Sequence, residues 1–314
     1  MSAGPARPRR EWRSVDGILL LDKPVGLSSN QALQRARRLY RAAKDGHTGS
    51  LDPLASGVLP LCFGEATKVA GLLLDSDKSY RAVLALGSRT ATGDAEGAVI
   101  EERAVPPLAD EAVARVLAGF LGEQQQVPPM YSALKRDGEA LYALARRGIE
   151  VERAPRRVLI TALRLENLDA RAVTFSVSCS KGTYIRTLGE DIAVALGTVG
   201  HLAALRRTEV GAFAGLAAHD FEALERVANA AALDALLLPV DAALSSYPAV
   251  HLSAAEAARF RQGQGADLSP AVPADCGAGV HVRVYEEPAR FLGLGITGAT
   301  PASVRAVRLM SRGG

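Results

Sequence analysis

The chain has 314 residues, 48% hydrophobic and 23% charged, with a net charge of +3 and a pI near 8.8. That length supports a sizeable core and two domains, and no run of some eighteen apolar residues occurs, which excludes a transmembrane helix. Cys62, Cys179 and Cys276 are odd in number and far apart, which argues against a disulfide framework or a Cys-x-x-Cys metal site and fits a reducing cytoplasm.

In chain order, the segment 1–14 (MSAGPARPRREWRS) is basic and lacks the apolar core of a secretory signal, so it reads as a flexible arm. Gly17–Leu21 predicts a strand ending in the turn Asp22-Lys23-Pro24, and Asn30–Tyr40 a helix with Ser29 as N-cap. Gly46–Pro60 (GHTGSLDPLASGVLP) is too irregular for ordinary packing. Ala66–Leu74 follows as a short helix, Ser79–Leu86 as a half-buried strand with Tyr80 on its apolar face, and Leu108–Leu121 as an amphipathic helix.

The segment 122–155 contains Pro128-Pro129 and a short helix, Gly138–Arg147, closed by Gly148, and it predicts an inserted loop able to move. Val158–Leu165 and Ala172–Ser178 alternate as strands, Tyr184–Leu196 is a helix ending at Gly197, and Phe221–Leu237 is helical. From Ser246 the pattern changes to a short helix, Ser253–Arg261, a loop over 266–279, and three strands, Val280–Tyr285, Arg290–Ile296 and Ser303–Leu309. The expected domains are 15–245 and a small β-rich unit, 246–314.

Within Gly46–Pro60, glycines permit turns that a Cβ forbids, while Pro53 holds Asp52 extended or in a turn. His47, Thr48 and Ser50 lie close by, and Leu54, Val58, Leu59 and Leu61 anchor the loop in a core, an arrangement that presents one carboxylate on a rigid base. Arginines cluster in the arm, along the first helix (Arg35, Arg37, Arg38, Arg41) and around 146–157, and only six of the 37 cationic side chains are lysines. Arginine suits bidentate phosphate contacts, although solvated helix faces give the same pattern. Gly293–Gly298 matches G-x-G-x-x-G, but neither the helix nor the acidic residue of a dinucleotide site follows. The five histidines lack metal-ligand spacing.

Gly46–Pro60 resembles the catalytic segment of the bacterial tRNA pseudouridine-55 synthases, the TruB family. Gly17–Asn30 (GILLLDKPVGLSSN), Lys78–Gly97 (KSYRAVLALGSRTATGDAEG), Gln126–Leu134 (QVPPMYSAL) and Cys179–Leu188 (CSKGTYIRTL) resemble the same family in the same order. The resemblance implies an α+β pseudouridine synthase fold, with a largely antiparallel mixed sheet flanked by helices and a C-terminal PUA-like β domain. It implies isomerisation of uridine 55 in the TΨC loop of tRNA by a cytoplasmic monomer that needs no protein partner and no membrane. The 122–155 insertion would close on the RNA loop, and the C-terminal domain would lie along the acceptor stem.

The reaction breaks the C1′–N1 bond, turns the base and rejoins it through C5, a stoichiometry that calls for no cofactor and no metal. By resemblance Asp52 is the nucleophile, with C1′ and C6 both open as points of attack, Arg186 keeps it ionised, and Tyr80 meets the base. Tyr184 and Leu205 shape the pocket, and Lys23 supports its turn or a nearby phosphate. His47 fills the stack vacated by the flipped base, with general-base catalysis as its alternative. Three rivals stand beside this reading. A glycoside hydrolase would need a second paired carboxylate near Asp52. A non-catalytic RNA-binding or RNA-folding protein would not need Asp52, Tyr80 and Arg186 together. A guide-RNA-dependent synthase shares the core but not the insertion.

Overall fold

The computed structural model describes residues 11–264, 266–267, 277–298 and 303–311. The strands of the larger unit are β1 (Gly17–Lys23), β2 (Asp45–His47), β3 (Ala55–Phe63), β4 (Lys78–Leu86), β5 (Ser88–Thr90), β6 (Val99–Glu102), β7 (Gly122–Gln126), β8 (Lys135–Arg136), β9 (Glu139–Ala140), β10 (Arg156–Asp169), β11 (Ala172–Cys179) and β12 (Gly200–Val210). Eight of them build one sheet in the order β1-β3-β12-β4-β11-β10-β7, with β2 beside β3. Every contact in it is antiparallel except β3 with β12, which run parallel over Ala55–Gly57 and Leu205–Arg207. The sheet is therefore two antiparallel halves joined at one short parallel seam.

The helix α1 (Ser29–Tyr40) begins one residue earlier than expected, because Ser28 accepts from the Gln31 amide while the Gln31 side chain accepts from the Ser28 amide. α1 and the helices Asp110–Ala118 and Ile185–Ala195 cover one face of the sheet, burying Leu33, Ala36, Leu117, Leu188 and Ile192 against Leu19, Leu59, Leu61, Leu84 and Phe175. The other face of β1 and β3, carrying Ile18, Leu20 and Cys62, packs with Phe213, Leu244 and Leu294. β1 is buried on both sides, which a continuous apolar run allows.

Several expectations change. β3 was read as an irregular anchor because it carries Pro60 and does not alternate; buried on both faces, it has no polar side to show. β12 was missed because bulges at 202/204 and 207/209 break its period of two. The helix expected over Phe221–Leu237 is two short ones, Phe221–Glu225 and Ala230–Asp234, the second started by Asn229, whose side chain accepts from the Ala232 amide. The insertion starts after Gln126, since Gly122–Gln126 pairs with β10 as a sheet edge.

The arm is held from Glu11 onward. Arg13 pairs with Asp234 at 2.9 Å and donates to the Tyr40 carbonyl, and Trp12 lies 4.5 Å from the Arg37 guanidinium. Residues 1–10 lie outside the described residues, as do 268–276 of the loop expected over 266–279 and with them Cys276. The C-terminal unit is a five-stranded sheet containing Ala249–Leu252, Ala266–Asp267, His281–Glu286, Arg290–Thr297 and Ser303–Leu309, with the helix Ala254–Arg261 on it. Lys68 fastens it to the larger unit, donating to the Leu309 carbonyl (2.9 Å) and the Ser311 hydroxyl (3.2 Å) while paired with Glu65 at 2.7 Å.

The seam requires Gly57. Its φ is +101°, and a Cβ there would stand 2.1 Å from the Arg207 carbonyl oxygen, whereas Gly26, at φ +88°, has nothing within 4 Å of a Cβ. Gly57→Ala should therefore lower unfolding free energy by about 3 kcal/mol or more and Gly26→Ala by about 1 kcal/mol, the strain term alone. Urea denaturation of the two variants checks this, and equal losses would remove the argument for a steric seam.

Candidate functional site

The loop 48–54 leaves β2 and enters β3 at the seam. Gly49 turns it with φ +85°, Thr48 is buried with its amide donating to the Pro60 carbonyl, and Leu51 is clamped to the start of α1. There the Leu51 amide donates to Ser29 Oγ at 2.6 Å, and that hydroxyl donates back to the Leu51 carbonyl at 3.1 Å. Pro53 accepts from the Gly26 amide at 2.8 Å, so the turn after β1 supports the same loop. Asp52, between two anchored neighbours, faces a cavity of about 530 Å³.

Arg186, the second residue of the helix Ile185–Ala195, reaches Asp52 Oδ2 at 2.9 Å. Its Nε lies 3.6 Å from Asp94 Oδ2, and its two terminal nitrogens donate to the Thr92 carbonyl (2.6 Å) and the Tyr131 carbonyl (2.7 Å). The guanidinium is thus fixed from several sides. Asp94 is held in turn, accepting from Thr92 Oγ1 at 2.6 Å and the Glu96 amide at 3.1 Å. The Asp52 side chain keeps 45% of its surface open to the cavity, yet the surrounding protein removes enough bulk water to push its pKa up. Arg186 and Lys23 oppose that rise, and Asp94 adds to it.

Tyr80 and Leu205 line the same cavity from β4 and β12, neighbours across the sheet, and Tyr184 from the turn before the helix. Burial pushes the Tyr80 phenol up, with the Arg207 charge opposing it, so the ring is protonated and neutral. Lys23 is fully buried, its Nζ donating to the carbonyls of Pro24 (2.9 Å) and Leu27 (2.5 Å), and burial lowers its pKa to about 8. These two bonds support its turn from within. His47 is half-buried on β2 and outside the cavity lining, with Nδ1 enclosed and without a hydrogen-bond partner. Burial and Arg207 lower its pKa, which keeps the ring neutral at pH 7.

Asp94, Lys78 and Arg207 also belong to this site, without a local sequence signal that marks them. Asp94 sits in a Thr-Gly-Asp turn inside a quoted segment, and its burial at 3% exposure is a property of the fold alone. Arg207 is fully buried beneath the cavity, donating to the Val58 carbonyl at 2.7 Å, and lies on the strand that the bulges disguised. Lys78 lines the cavity with its pKa lowered by burial to about 8. The basic cluster on α1 is largely satisfied within the protein, since Arg35 pairs with Glu225 and Arg37 with Asp45.

Among the described residues no group of His, Cys, Asp or Glu is arranged to hold a metal ion, and no helix is long and apolar enough to cross a membrane. What the cavity offers is one carboxylate, raised in pKa by burial and paired with an arginine, against a neutral aromatic ring and an apolar wall. That combination suits nucleophilic attack on a flat, uncharged ring system.

Comparison with known proteins gives matches along most of the chain. Residues 37–185 match the TruB family pseudouridylate synthase N-terminal domain, 186–245 the tRNA pseudouridylate synthase B C-terminal domain, and 248–310 the pseudouridine synthase II TruB C-terminal domain. The chain is 56% identical over 296 residues to tRNA pseudouridine synthase B of Burkholderia mallei (strain ATCC 23344), covering 94% of each. To the protein of that name from Chromohalobacter salexigens it is 52% identical over 286 residues, covering 91% of this chain and 92% of the relative. A chain in the crystal structure of a Cbf5-Nop10-Gar1 complex superposes with a TM-score of 0.71 at 24% identity, covering 98% of this chain and 90% of that one, a likeness of fold.

The opposed influences on Asp52 give a measurable consequence. Arg186→Gln removes the positive charge that holds the carboxylate down, so burial prevails and the Asp52 pKa rises further. Carboxylate ¹³C NMR titration of the two proteins reads the shift. An unmoved or lowered Asp52 resonance midpoint would show that Arg186 does not set its charge state.

Proposed function

The chain belongs to the TruB family of pseudouridylate synthases, and from that premise we propose that it isomerises uridine 55 in the TΨC loop of tRNA, with Asp52 as nucleophile. The enzyme is an isomerase that forms pseudouridine in tRNA. The observation that carries the assignment of roles is the Asp52–Arg186 ion pair at 2.9 Å on the wall of the cavity. Burial pushes the Asp52 pKa up and the Arg186 charge opposes that rise, which favours the ionised form; the protonated acid is no nucleophile.

In the proposed reaction the uridine leaves the RNA stack and enters the cavity, its base against the Tyr80 ring and Leu205. Ionised Asp52 attacks at C1′ or at C6. The C1′–N1 bond breaks, the base turns and C5 bonds to C1′; the bond to Asp52 breaks, displaced by C5 if it was made at C1′ or eliminated if it was made at C6, and the carboxylate is regenerated. The C5 proton passes to solvent and N1 gains one. Tyr80, as a neutral phenol, can stack on the base and donate a hydrogen bond to it. His47, neutral and close to the loop, is assigned the vacated place in the RNA stack, where a ring contributes about 1–3 kcal/mol toward the cost of flipping. Tyr184 and Leu205 define the pocket, and Lys23 acts through its turn.

The insertion is assigned the grip on the TΨC loop, and residues 246–314 the acceptor stem. The start of the insertion supports the first assignment, since Ser132, Ala133 and Leu134 form cavity wall and the adjoining Tyr131 carbonyl accepts from Arg186. Recognition would then rest on RNA shape, splayed bases and phosphates. The protein acts as a cytoplasmic monomer without a guide RNA; identity above half with synthases named for tRNA favours this over the guide-dependent form.

Tritium release from a tRNA transcript carrying C5-tritiated uridine tests the reading. The wild type should release it, and Asp52→Asn should be slower by about ten-thousandfold or more with RNA binding retained. Absence of release by the wild type on folded transcript would defeat the enzymatic reading, and release by Asp52→Asn would defeat the role of Asp52. In the wild type, kcat should fall as pH drops through the raised Asp52 pKa, because the protonated acid accumulates below it; a profile that stays flat down to the pH at which the protein unfolds would count against an ionised nucleophile.

A further inference from the structure

The cations that line the cavity are Lys78, Arg156, Arg186 and Arg207. Three are already engaged by the protein. Lys78 donates to the Leu74 and Ser76 carbonyls, Arg186 holds Asp52 and Asp94, and Arg207 lies buried beneath, donating to Val58. Arg156 is different: among the described residues no carboxylate pairs with it, and its Nε is buried without a hydrogen-bond partner.

This arginine is nevertheless held in place. Its guanidinium carbon lies 4.7 Å from the centre of the Tyr184 ring, and a Cβ on Gly182, whose φ is +80°, would stand 3.4 Å from that carbon and from Nη1. Opposite Arg156, across the β7–β10 pair, is Gln126, and that buried side chain clamps Tyr184 from both ends: Nε2 donates to the Tyr184 carbonyl at 3.0 Å and Oε1 accepts from its amide at 2.7 Å. One strand pair therefore positions both the ring and the cation that lies over it. Stacking a guanidinium on a ring occupies its face and leaves the N–H groups of its edge available.

A planar, positioned, uncompensated positive charge at a cavity that also presents Asp52 calls for an anion brought by the substrate. A nucleotide that flips into this cavity carries phosphodiesters on both sides of its ribose. Resting on the function proposed above, we infer that Arg156 is a phosphate-binding residue of the active site, donating through its guanidinium edge to a phosphodiester that flanks the flipped uridine. The contact is made by the flipped nucleotide, so it holds the ribose while the base is released and turned. Arg156 is a substrate-binding and positioning residue here; it takes no part in the bond changes.

The test uses the full chain and RNA stem-loops carrying C5-tritiated target uridine, with a single uncharged methylphosphonate placed either 5′ or 3′ of it. Single-turnover release is measured for the wild type, Arg156→Met and Arg156→Lys. For the wild type one of the two modified RNAs should react about 10- to 100-fold more slowly than the all-phosphate RNA, the loss of a charge-assisted contact. Arg156→Met should show a comparable loss on all-phosphate RNA and little further loss on the modified one. Arg156→Lys should retain part of the methylphosphonate penalty, and it serves in place of the methionine variant if that fails to fold.

Wild-type indifference to both methylphosphonates overturns the inference. So does an equal methylphosphonate penalty in the wild type and in the folded variants, since it would show that the phosphate acts elsewhere. Failure of the wild type on unmodified RNA would strike the proposed reaction and not this contact.

Discussion

The site depends on a guanidinium that has been taken out of water. The Arg186 side chain is 6% exposed, a position that costs several kcal/mol in lost hydration before any partner is counted. Two carboxylates and two backbone carbonyls offset that cost, and they come from three pieces of chain: the loop of Asp52, the turn holding both Thr92 and Asp94, and Tyr131 at the base of the insertion. The Arg186–Asp94 pair, 6% and 4% exposed, is the buried one, and removing one partner of a buried pair typically costs about 3–5 kcal/mol. Asp52, the cavity wall and the turn behind it are thereby parts of one electrostatic unit.

Much of this was legible in the sequence, unevenly and for physical reasons. The loop of Asp52 was readable because glycine and proline restrict local geometry wherever they occur, and Gly49 does take the left-handed turn that such a loop needs. Arg186 and Tyr80 were placed by motif, with no local signal to separate them from a surface arginine and a core tyrosine. β3 and β12 were invisible to a search for alternation, the first because both its faces are buried and the second because bulges shift its pattern midway. With β12 went Arg207, whose burial depends on a parallel partner far away in the chain. The extent of the helix after Phe221 was misjudged because helix propensity does not reveal the Asn229 cap that starts a second one.

The small C-terminal sheet bears on the same organisation. Its Leu294, with Phe291, Val307 and Met310, packs into the cluster built from Ile18, Leu20 and Cys62, while Leu19, Leu59 and Leu61 of the same two strands carry the helical face. β1 and β3 are thus core to both units. The Gly293–Gly298 sequence, with its dinucleotide-like spacing, largely forms the strand that makes this contact, so its glycines serve close packing between strands.

The parallel contact of β3 with β12 has a consequence for how the molecule comes to be active. Ala55 and Leu205, paired there, are 150 residues apart in the chain, and bringing such distant points together costs roughly 4 kcal/mol of chain entropy. Only three residue pairs hold the contact, so the ladder at the seam itself offsets little of that cost and the flanking antiparallel pairs carry the rest. Asp52 meets Leu205, Tyr80 and Arg207 at this junction and nowhere else. Asp52 therefore shares a cavity with these residues only where segments distant in the chain are joined, and its loop alone does not make the site.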